Sequence, residues 1–309
     1  MNYLSNRKQR SKVGSSYSEW ANVSTGVPQG SVLGPILFNI FINDLFLFVN
    51  SSLICNFADD QSLYAFGKTV DIVIRKLESD MKIVLDWLDL NSLVPNPKKF
   101  QMMFLGTKNK QKLCLDINGV TTISSNEITL LGIKTDWKLQ FNMLYDRANS
   151  KVGAIFRLRK KLTTDQKIIL YNSFISSQFG YCTNIWAFHG KTVEKRINSI
   201  QKRSLRAIYD EFNLDLPQLL QKGNHVTVHQ NNIRKLIMKV YKCINNESPE
   251  ILDEIFHRKT TYHNLRLNNL LILPNTNTIT YGTHSFEYRG SITWTCYLIP
   301  LNAAQVHQY

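Results

Sequence analysis

The chain has 309 residues, of which 43% are hydrophobic, and a formal net charge of +14 at pH 7. This composition allows two or three domains with ordinary cores, and no apolar run reaches the roughly 18 residues of a membrane span. The basic N-terminus lacks the apolar segment of a signal peptide. Five scattered cysteines disfavour a disulfide framework or zinc ribbon and indicate an intracellular protein, nuclear or cytoplasmic, rather than a secreted one.

The first predicted elements surround a glycine-rich loop. Residues 13–23 predict a strand pair that turns at Gly14-Ser15. In Gly26-Val27-Pro28-Gln29-Gly30, called here the 26–30 loop, two glycines around a proline allow the backbone to lie close to a ligand. Gln29 offers a donor and an acceptor to a base or sugar edge. A structural turn before a buried helix is the alternative, since residues 35–48 predict a helix with Pro35 at its first position.

An acidic pair follows between two apolar runs. Residues 53–66 predict two short strands joined at Asp59-Asp60. Such a tip would project both carboxylates beyond the strands, with Phe57 and Leu63 as apolar anchors. Two-metal nucleotidyl transfer needs carboxylates that hold two Mg²⁺ ions about 4 Å apart. The pair alone is not specific, because adjacent aspartates are commonly solvated turn residues.

Helices and strands then alternate. Apolar spacing predicts a helix over residues 70–90, a strand over 100–105, a hairpin at Asn118-Gly119 and a short strand over 130–133. Further helices are predicted at 142–161, 164–178, 191–209 and 229–246, and no period is sustained beyond about residue 258.

Positive charge is concentrated in the region of the first three of these later helices. Between Lys138 and Asp210 there are fourteen Lys or Arg residues against four Asp or Glu. This excess favours a polyanionic partner such as nucleic acid, although a well-solvated basic helical face is the alternative.

Taken together, the 26–30 loop and the acidic pair resemble motifs of reverse transcriptases from non-LTR (LINE-type) retrotransposons. The family palm carries Gly-x-Pro-Gln-Gly-Ser-x-Leu-Gly-Pro-x-Leu-Phe ending in Asn-Asp-Leu, followed by an aromatic-Ala-Asp-Asp box. Residues 26–45 and 57–60 match every fixed position. The resemblance is weaker beyond residue 210, where it includes Asn264-Leu265-Arg266.

This resemblance implies an α+β fold with a partial polymerase palm, an antiparallel sheet with helices, at 1–136. A basic, helical thumb-like region at 137–210 and a mostly α-helical or irregular C-terminal extension at 211–309 would follow. The implied activity is RNA-directed DNA polymerisation with Mg²⁺, an RNA template, an RNA/DNA hybrid and dNTP as cofactor and partners; no membrane is implied.

The resemblance also assigns roles to individual residues, and residues 130–133 resemble the segment that grips the primer end. The implied catalytic and metal-binding residues are Asp59 and Asp60. The residues implied to contact nucleotide or template are Pro28, Gln29, Gly30 and Lys99. Those implied to contact the nucleic-acid backbone are Arg157, Arg159, Lys160 and Lys161.

One family feature is not matched. The family has a further metal-binding aspartate tens of residues before the loop, whereas the only acidic residue before Gly26 is Glu19. The expectation is therefore a truncated reverse transcriptase with little or no activity by itself. The alternatives are a non-catalytic nucleic-acid-binding module and a degenerate retroelement remnant that folds poorly and exposes sheet edges and core surface.

Overall fold

The computed structural model of the chain describes residues 3–106, 112–117, 119–139, 141–188, 190–259 and 270–306. Two compact units, Met1–Ser125 and Asn126–Tyr309, make up the chain. Helices and small antiparallel strand pairs confirm the predicted α+β class. Asn118 and residues 264–266 lie outside the described residues. Among the helices described, none is both long and apolar enough to cross a membrane.

The first unit combines short strand pairs with two helices. Strand β1 pairs with β4, β2 with β3, β5 with β6 and β7 with β8, all antiparallel. The elements in chain order are β1 (Arg7–Gln9), β2 (Lys12–Val13), β3 (Ser16–Tyr17), β4 (Ala21–Val23), α1 (Gly34–Ile42), β5 (Leu53–Phe57), β6 (Asp60–Tyr64), α2 (Val70–Leu90), β7 (Cys114–Ile117) and β8 (Val120–Ile123).

Most local predictions for this unit are confirmed. The first strands form a hairpin that turns at Gly14-Ser15. Helix α1 has Pro35 in its first turn and continues as a 3₁₀ turn to Leu47. The predicted limits of α2 agree with the structure, and the Thr69 side chain caps its first turn by accepting a hydrogen bond from the Ile72 backbone N–H.

The strand predicted over residues 100–105 is wrong. Only Met102 forms a bridge, to Ser124, and Pro97–Lys99 is a short 3₁₀ turn. Met102 instead lies in a cluster on which residues of α2 pack, and Phe104 packs against the same cluster. Their alternating apolar pattern therefore reflects packing against a helix rather than pairing with a neighbouring strand.

Helix α2 organises the core of the first unit. One of its faces packs through Val84, Trp87 and Leu88 against α1, β5 and β6. Another packs through Ile74, Leu77 and Met81 against the 102–117 segment. The segments that precede and follow the acidic pair in the chain are thus held by a single 21-residue helix.

The second unit begins with a hairpin and continues as packed helices. Its elements are β9 (Glu127–Leu130), β10 (Ile133–Asp136), α3 (Asn142–Leu158), α4 (Thr164–Tyr171), α5 (Thr183–Trp186), α6 (Lys191–Tyr209), α7 (Leu216–Lys222), α8 (Val228–Ile244), α9 (Glu250–Asp253) and α10 (Phe286–Val306). The four helices predicted from the sequence correspond to α3, α4, α6 and α8. Helix α4 ends earlier than predicted, at Tyr171, and passes into a wider π turn over Asn172–Ser176.

Residues 130–133 form a hairpin turn rather than the predicted single strand. Leu131 and Gly132 connect β9 to β10 with φ angles of +47° and +80°. A two-residue turn with both φ angles positive matches the twist of its flanking strands, and glycine adopts such angles without steric cost. The apolar residues before and after Gly132 therefore lie on two paired strands.

Two clusters of buried side chains stabilise the second unit. The larger joins α3, α4, α6 and α7 around residues such as Trp186 and Leu205, both fully buried. The smaller joins α8 to Phe256 and to Trp294 of α10. Helix α10 was not anticipated because its apolar residues do not recur on one face.

Candidate functional site

The acidic pair lies at the tip of the β5–β6 hairpin. Phe57 pairs with Asp60, so Ala58 and Asp59 form the turn and Asp60 begins β6. Ala58 has a φ of +52°, which is uncommon for a residue with a side chain. Both aspartates are exposed. The hairpin is confirmed; its turn starts one residue before the predicted Asp59-Asp60.

The two faces of this hairpin differ. Ile54 and Leu63 face each other across the strands and pack against the α2 core. Leu63 is therefore an anchor, as predicted. Phe57 is not: it is 66% exposed, because side chains alternate along a strand and it lies on the face opposite Ile54.

A buried carboxylate fixes the entry to the hairpin. Asp80 of α2 is 1% exposed and accepts hydrogen bonds from the Ser52 hydroxyl at 2.6 Å, the Ser51 backbone N–H at 3.0 Å and the Asn50 backbone N–H at 3.5 Å. The sequence prediction missed this residue. Its signal was an aspartate within an otherwise apolar helical stripe, next to Met81.

The 26–30 loop is closed by its own hydrogen bonds. Gly26 and Gly30 have φ angles of +74° and +77°, a region that glycine adopts readily. The Ser31 hydroxyl donates to the Pro28 carbonyl at 2.6 Å and accepts from the Gly34 backbone N–H at 3.1 Å. The loop is thereby tied to the start of α1, which leaves Gln29 exposed on its surface.

Lys99 ends the short 3₁₀ turn that follows α2. Asn96 caps this turn by accepting a hydrogen bond from the Lys98 backbone N–H at 3.2 Å. Lys99 is exposed, whereas Met102, a few residues on, is buried. The lysine therefore presents its amine from an anchored segment.

The packing relates the motifs of the first unit through helix α2. Helix α1, which follows the 26–30 loop, and the hairpin that carries Asp59 and Asp60 share one face of α2. The segment that follows Lys99 packs on another face. Shared packing positions these motifs, but it does not bring Gln29 and the two carboxylates into hydrogen-bond contact.

The chemistry of Asp59 and Asp60 suits a hard divalent cation. Mg²⁺ prefers carboxylate oxygens and keeps several waters, so that one or two protein carboxylates and a substrate phosphate can hold it. Within the described ranges no group of three His, Cys, Asp or Glu residues could hold a metal ion. Asp59 and Asp60 themselves offer such an ion two exposed carboxylates that are neighbours in the chain.

In the second unit, cations line one side of α6. At 100° per residue, its six basic residues occupy less than half of the helix circumference, while residues such as Ile200 and Leu205 are buried on the other side. These basic residues are Lys191, Lys195, Arg196, Lys202, Arg203 and Arg206. The i, i+7 spacing of Lys195 with Lys202 and of Arg196 with Arg203 was readable in the sequence.

Two arginines of this face are oriented by α3. Arg196 donates to the Asn142 side chain at 2.7 Å, and Arg203 donates to the Asn149 side chain at 3.0 Å. The Arg196 guanidinium also lies 5.7 Å from the Tyr145 ring centre. Burial raises the pKa of Tyr145 to about 12, with Arg196 acting in the opposite direction, so Tyr145 stays neutral beside the cation. These guanidinium groups are therefore positioned before any ligand arrives.

The predicted backbone-contact residues differ in their surroundings. Arg157 lies in the last turn of α3, and Lys160 and Lys161 follow the helix in a turn; all three are exposed. Arg159 is half-buried, donates to the Phe156 carbonyl at 2.8 Å and lies 3.7 Å from an Asp210 carboxylate oxygen. Arg159 thus takes part in packing within the unit, whereas the other three have open side chains.

Lys167 is a further basic residue of this region whose side chain is engaged within the unit. It is 3% exposed, and its amine donates to the Ile208 carbonyl at 3.0 Å and to Asp210 at 2.7 Å. It therefore caps the C-terminus of α6 and fastens it to α4. Its charge stabilises the basic helix and is not available to an external polyanion.

Comparison with known proteins shows what the first part of the chain is similar to. Residues 2–135 match the model of the reverse transcriptase (RNA-dependent DNA polymerase) family. No solved structure matches the chain.

Three relatives show the range of similarity. The probable RNA-directed DNA polymerase from transposon BS of Drosophila melanogaster is 27% identical over 225 residues, 67% of this chain and 25% of that protein. The corresponding protein from transposon X-element of the same organism is 25% identical, covering 67% of this chain and 24% of that protein. A Pol polyprotein from type-1 retrotransposable element R1 2 of Nasonia vitripennis is 35% identical over 85 residues, 27% of this chain and 21% of that protein. The chain spans about a quarter of the length of the two Drosophila proteins.

Proposed function

We propose that the chain carries metal-binding and hybrid-binding parts of an RNA-directed DNA polymerase of the non-LTR retrotransposon type, because residues 2–135 match the reverse transcriptase family model and the chain is similar to transposon polymerases. One observation carries the proposal. The acidic pair projects from a hairpin whose opposite end is anchored on α2, the helix that also holds α1 behind the 26–30 loop. An exposed carboxylate pair on a fixed support is what metal-assisted nucleotidyl transfer needs.

In this proposal Asp59 and Asp60 hold Mg²⁺ through their carboxylate oxygens. The ions, when bound, would stabilise negative charge on the attacking and leaving oxygens of an in-line displacement. The hairpin contributes position: Leu63 and Ile54 fix it to the core, and Asp80 fixes the residues that enter β5. A small displacement of a catalytic group is costly, since about 1 Å can reduce a rate about 100-fold.

The nucleotide and the template are assigned to the surfaces beside this tip. Gln29 can both donate to and accept from a base or sugar edge. Pro28 carries only a compact ring, and Gly30 has no side chain that would keep a ligand away. The Lys99 amine is suited to a triphosphate oxygen, because a lysine is a compact cation with three donors. The closed hydrogen bonding of the loop supports a binding surface of fixed shape.

The RNA/DNA hybrid is assigned to basic helices of the second unit. Arg157, Lys160 and Lys161 would contact phosphates together with the basic side of α6. Arg159 would act mainly by packing near the end of α3. Division of the chain into a palm part at 1–136, a thumb part at 137–210 and an extension at 211–309 belongs to the same proposal.

Primer extension tests this proposal. The full chain is incubated with an RNA template, a DNA primer, dNTPs and Mg²⁺, and Asp59→Asn and Asp60→Asn should each reduce extension by about 100-fold or more, because the metal loses a charged ligand. The control is Asp86→Asn, an exposed aspartate on α2, which should leave extension unchanged.

We expect primer extension by the chain alone to be slow, because the metal-binding residues of the family include a further aspartate. The same variants are therefore also compared by Mg²⁺-dependent binding of a dNTP to the chain on a preformed hybrid. Extension or Mg²⁺-dependent dNTP binding that survives loss of both aspartates would contradict the proposal.

A second candidate is nucleic-acid binding without catalysis. The ordered basic side of α6 favours it, because that side needs neither Asp59 nor Asp60. Hybrid binding that is unchanged in the Asp59→Asn/Asp60→Asn variant, together with no Mg²⁺-dependent dNTP binding in the wild type, would select this candidate.

A further inference from the structure

The N-terminal strands form an exposed ribbon with an unusual composition. Strand β1 pairs with β4 from Arg7 to Gln9, and beyond them β2 pairs with β3, so that Lys12 faces Tyr17. The Ser18 backbone N–H donates to the Ser11 carbonyl at 2.9 Å, which links the two strand pairs. Every described residue of the ribbon tip from Lys12 to Tyr17 is exposed. The ribbon is thus a surface element rather than part of the core.

One face of this ribbon joins two aromatic rings to two cations. The Arg10 guanidinium carbon lies 4.1 Å from the Tyr17 ring centre and 4.6 Å from the Trp20 ring centre. The Lys12 amine lies 5.2 Å from the same tyrosine ring. Stacking of Arg10 on both rings restrains them while they remain exposed, 51% for Tyr17 and 58% for Trp20.

Charge on the ribbon suits a polyanion. Between residues 3 and 25 the basic residues are Arg7, Lys8, Arg10 and Lys12, and the only acidic residue is Glu19. Aromatic rings beside cations match single-stranded nucleic acid, whose bases stack on the rings while its phosphates contact Lys and Arg. Paired strands keep their base faces within the stack and offer the rings much less.

The base of the ribbon is fastened to the 26–30 loop. The Arg7 guanidinium donates to the Thr25 carbonyl at 3.0 Å and to the Gly26 carbonyl at 2.5 Å. A strand lying on the ribbon would therefore lie next to the loop assigned above to nucleotide and template.

We propose that the face formed by Arg10, Lys12, Tyr17 and Trp20 binds an unpaired stretch of nucleic acid. Its bases stack on Tyr17 and Trp20, and its phosphates contact Arg10 and Lys12. This site shares no residue with the carboxylate pair or with α6, so it extends the proposed function and can be tested apart from it.

The test measures binding of the full chain to a labelled, unstructured strand of about 12 nucleotides. Fluorescence anisotropy reports the binding, and RNA and DNA strands are measured separately. Tyr17→Ala and Trp20→Ala should each weaken binding by roughly fivefold to 100-fold, the effect of one lost base-stacking contact. Binding of an RNA/DNA hybrid should change less than twofold in the same variants. A loss confined to RNA or to DNA would identify the strand that the ribbon takes.

Two matched variants control for exposure and for ring chemistry. Phe66→Ala removes a ring of the first unit that is 67% exposed and should leave single-strand binding unchanged. Trp20→Phe keeps a stacking ring and should retain most of the affinity. Unchanged circular dichroism melting would show that the variants fold.

The proposal would be overturned if Tyr17→Ala and Trp20→Ala bound the single strand as tightly as the wild type. It would also be overturned if they weakened binding of the single strand and the hybrid equally, because the rings would then serve no unpaired base. If only variants of α6 lose binding of the hybrid, that result bears on the proposed function and not on the ribbon.

Discussion

Replacement of Asp80 by alanine should lower the free energy of unfolding of the first unit by about 3 kcal/mol. The variant leaves the Ser51 backbone N–H and the Ser52 hydroxyl without their acceptor, and both donate to a carboxylate that is 1% exposed. A buried donor that loses its partner costs about 1–3 kcal/mol, and hydrogen bonds to charged groups lie at the upper end of that range. The expected loss is a large part of the stability of a unit of this size.

Urea unfolding measures this change in free energy. Native-state hydrogen exchange at the backbone amides of β5 and α2 then shows where stability is lost. Asp86→Ala is the matched control, since it removes an exposed aspartate from the same helix and should change the free energy by no more than about 0.5 kcal/mol. Because Asp80 holds the entry to β5, the amides that lose protection from exchange should lie mainly in residues 50–57. Equal stability of the two variants would contradict the positioning role of Asp80.

Raising the salt concentration from 50 to 200 mM should weaken binding of an RNA/DNA hybrid by about 1000-fold. That magnitude corresponds to about six phosphates neutralised, and the basic side of α6 together with Arg157, Lys160 and Lys161 supplies enough cations. Each cation that contacts a phosphate should reduce the salt slope by about one when it is replaced.

Single replacements by glutamine separate the contributing cations. Lys195→Gln and Arg203→Gln should lower both affinity and slope, whereas Lys239→Gln, an exposed lysine of α8, should change neither. Arg159→Gln should affect stability more than the slope, because its side chain is engaged with the Phe156 carbonyl. A salt slope near zero, or an equal effect of Lys239→Gln, would contradict the assignment of α6.

Elements with strong local patterns were predictable from the sequence. Helix α2 has about five turns of apolar spacing, so its limits were predicted correctly. The hairpins at Gly14 and at the acidic pair were indicated by their turn residues, although the second turn begins one residue earlier than predicted. Predictions failed where tertiary contacts decide. Residues 100–105 alternate like a strand but pack on a helix, and α10 is apolar on several sides.

The candidate residues were selected from the sequence, whereas their geometry and support were not. Two motifs were sufficient to select Asp59, Asp60 and the 26–30 loop. The support provided by Asp80 depends on residues about 28 positions away in the chain, which no local pattern specifies. Exposure of Phe57 follows from strand register, because the turn begins at Ala58 and places this ring away from the core.

Metal-directed cleavage of the polypeptide tests the proposed metal site at the hairpin tip most directly. Fe²⁺ replaces Mg²⁺ in the full chain bound to a hybrid and dNTP, and ascorbate with peroxide then generates radicals that cut the backbone beside the ion. We predict cleavage between residues 57 and 61 that excess Mg²⁺ suppresses. Cleavage should be lost in Asp59→Asn/Asp60→Asn and retained in Asp86→Asn. Cleavage that is absent from this segment, or that persists there in the double variant, would contradict a metal site formed by Asp59 and Asp60.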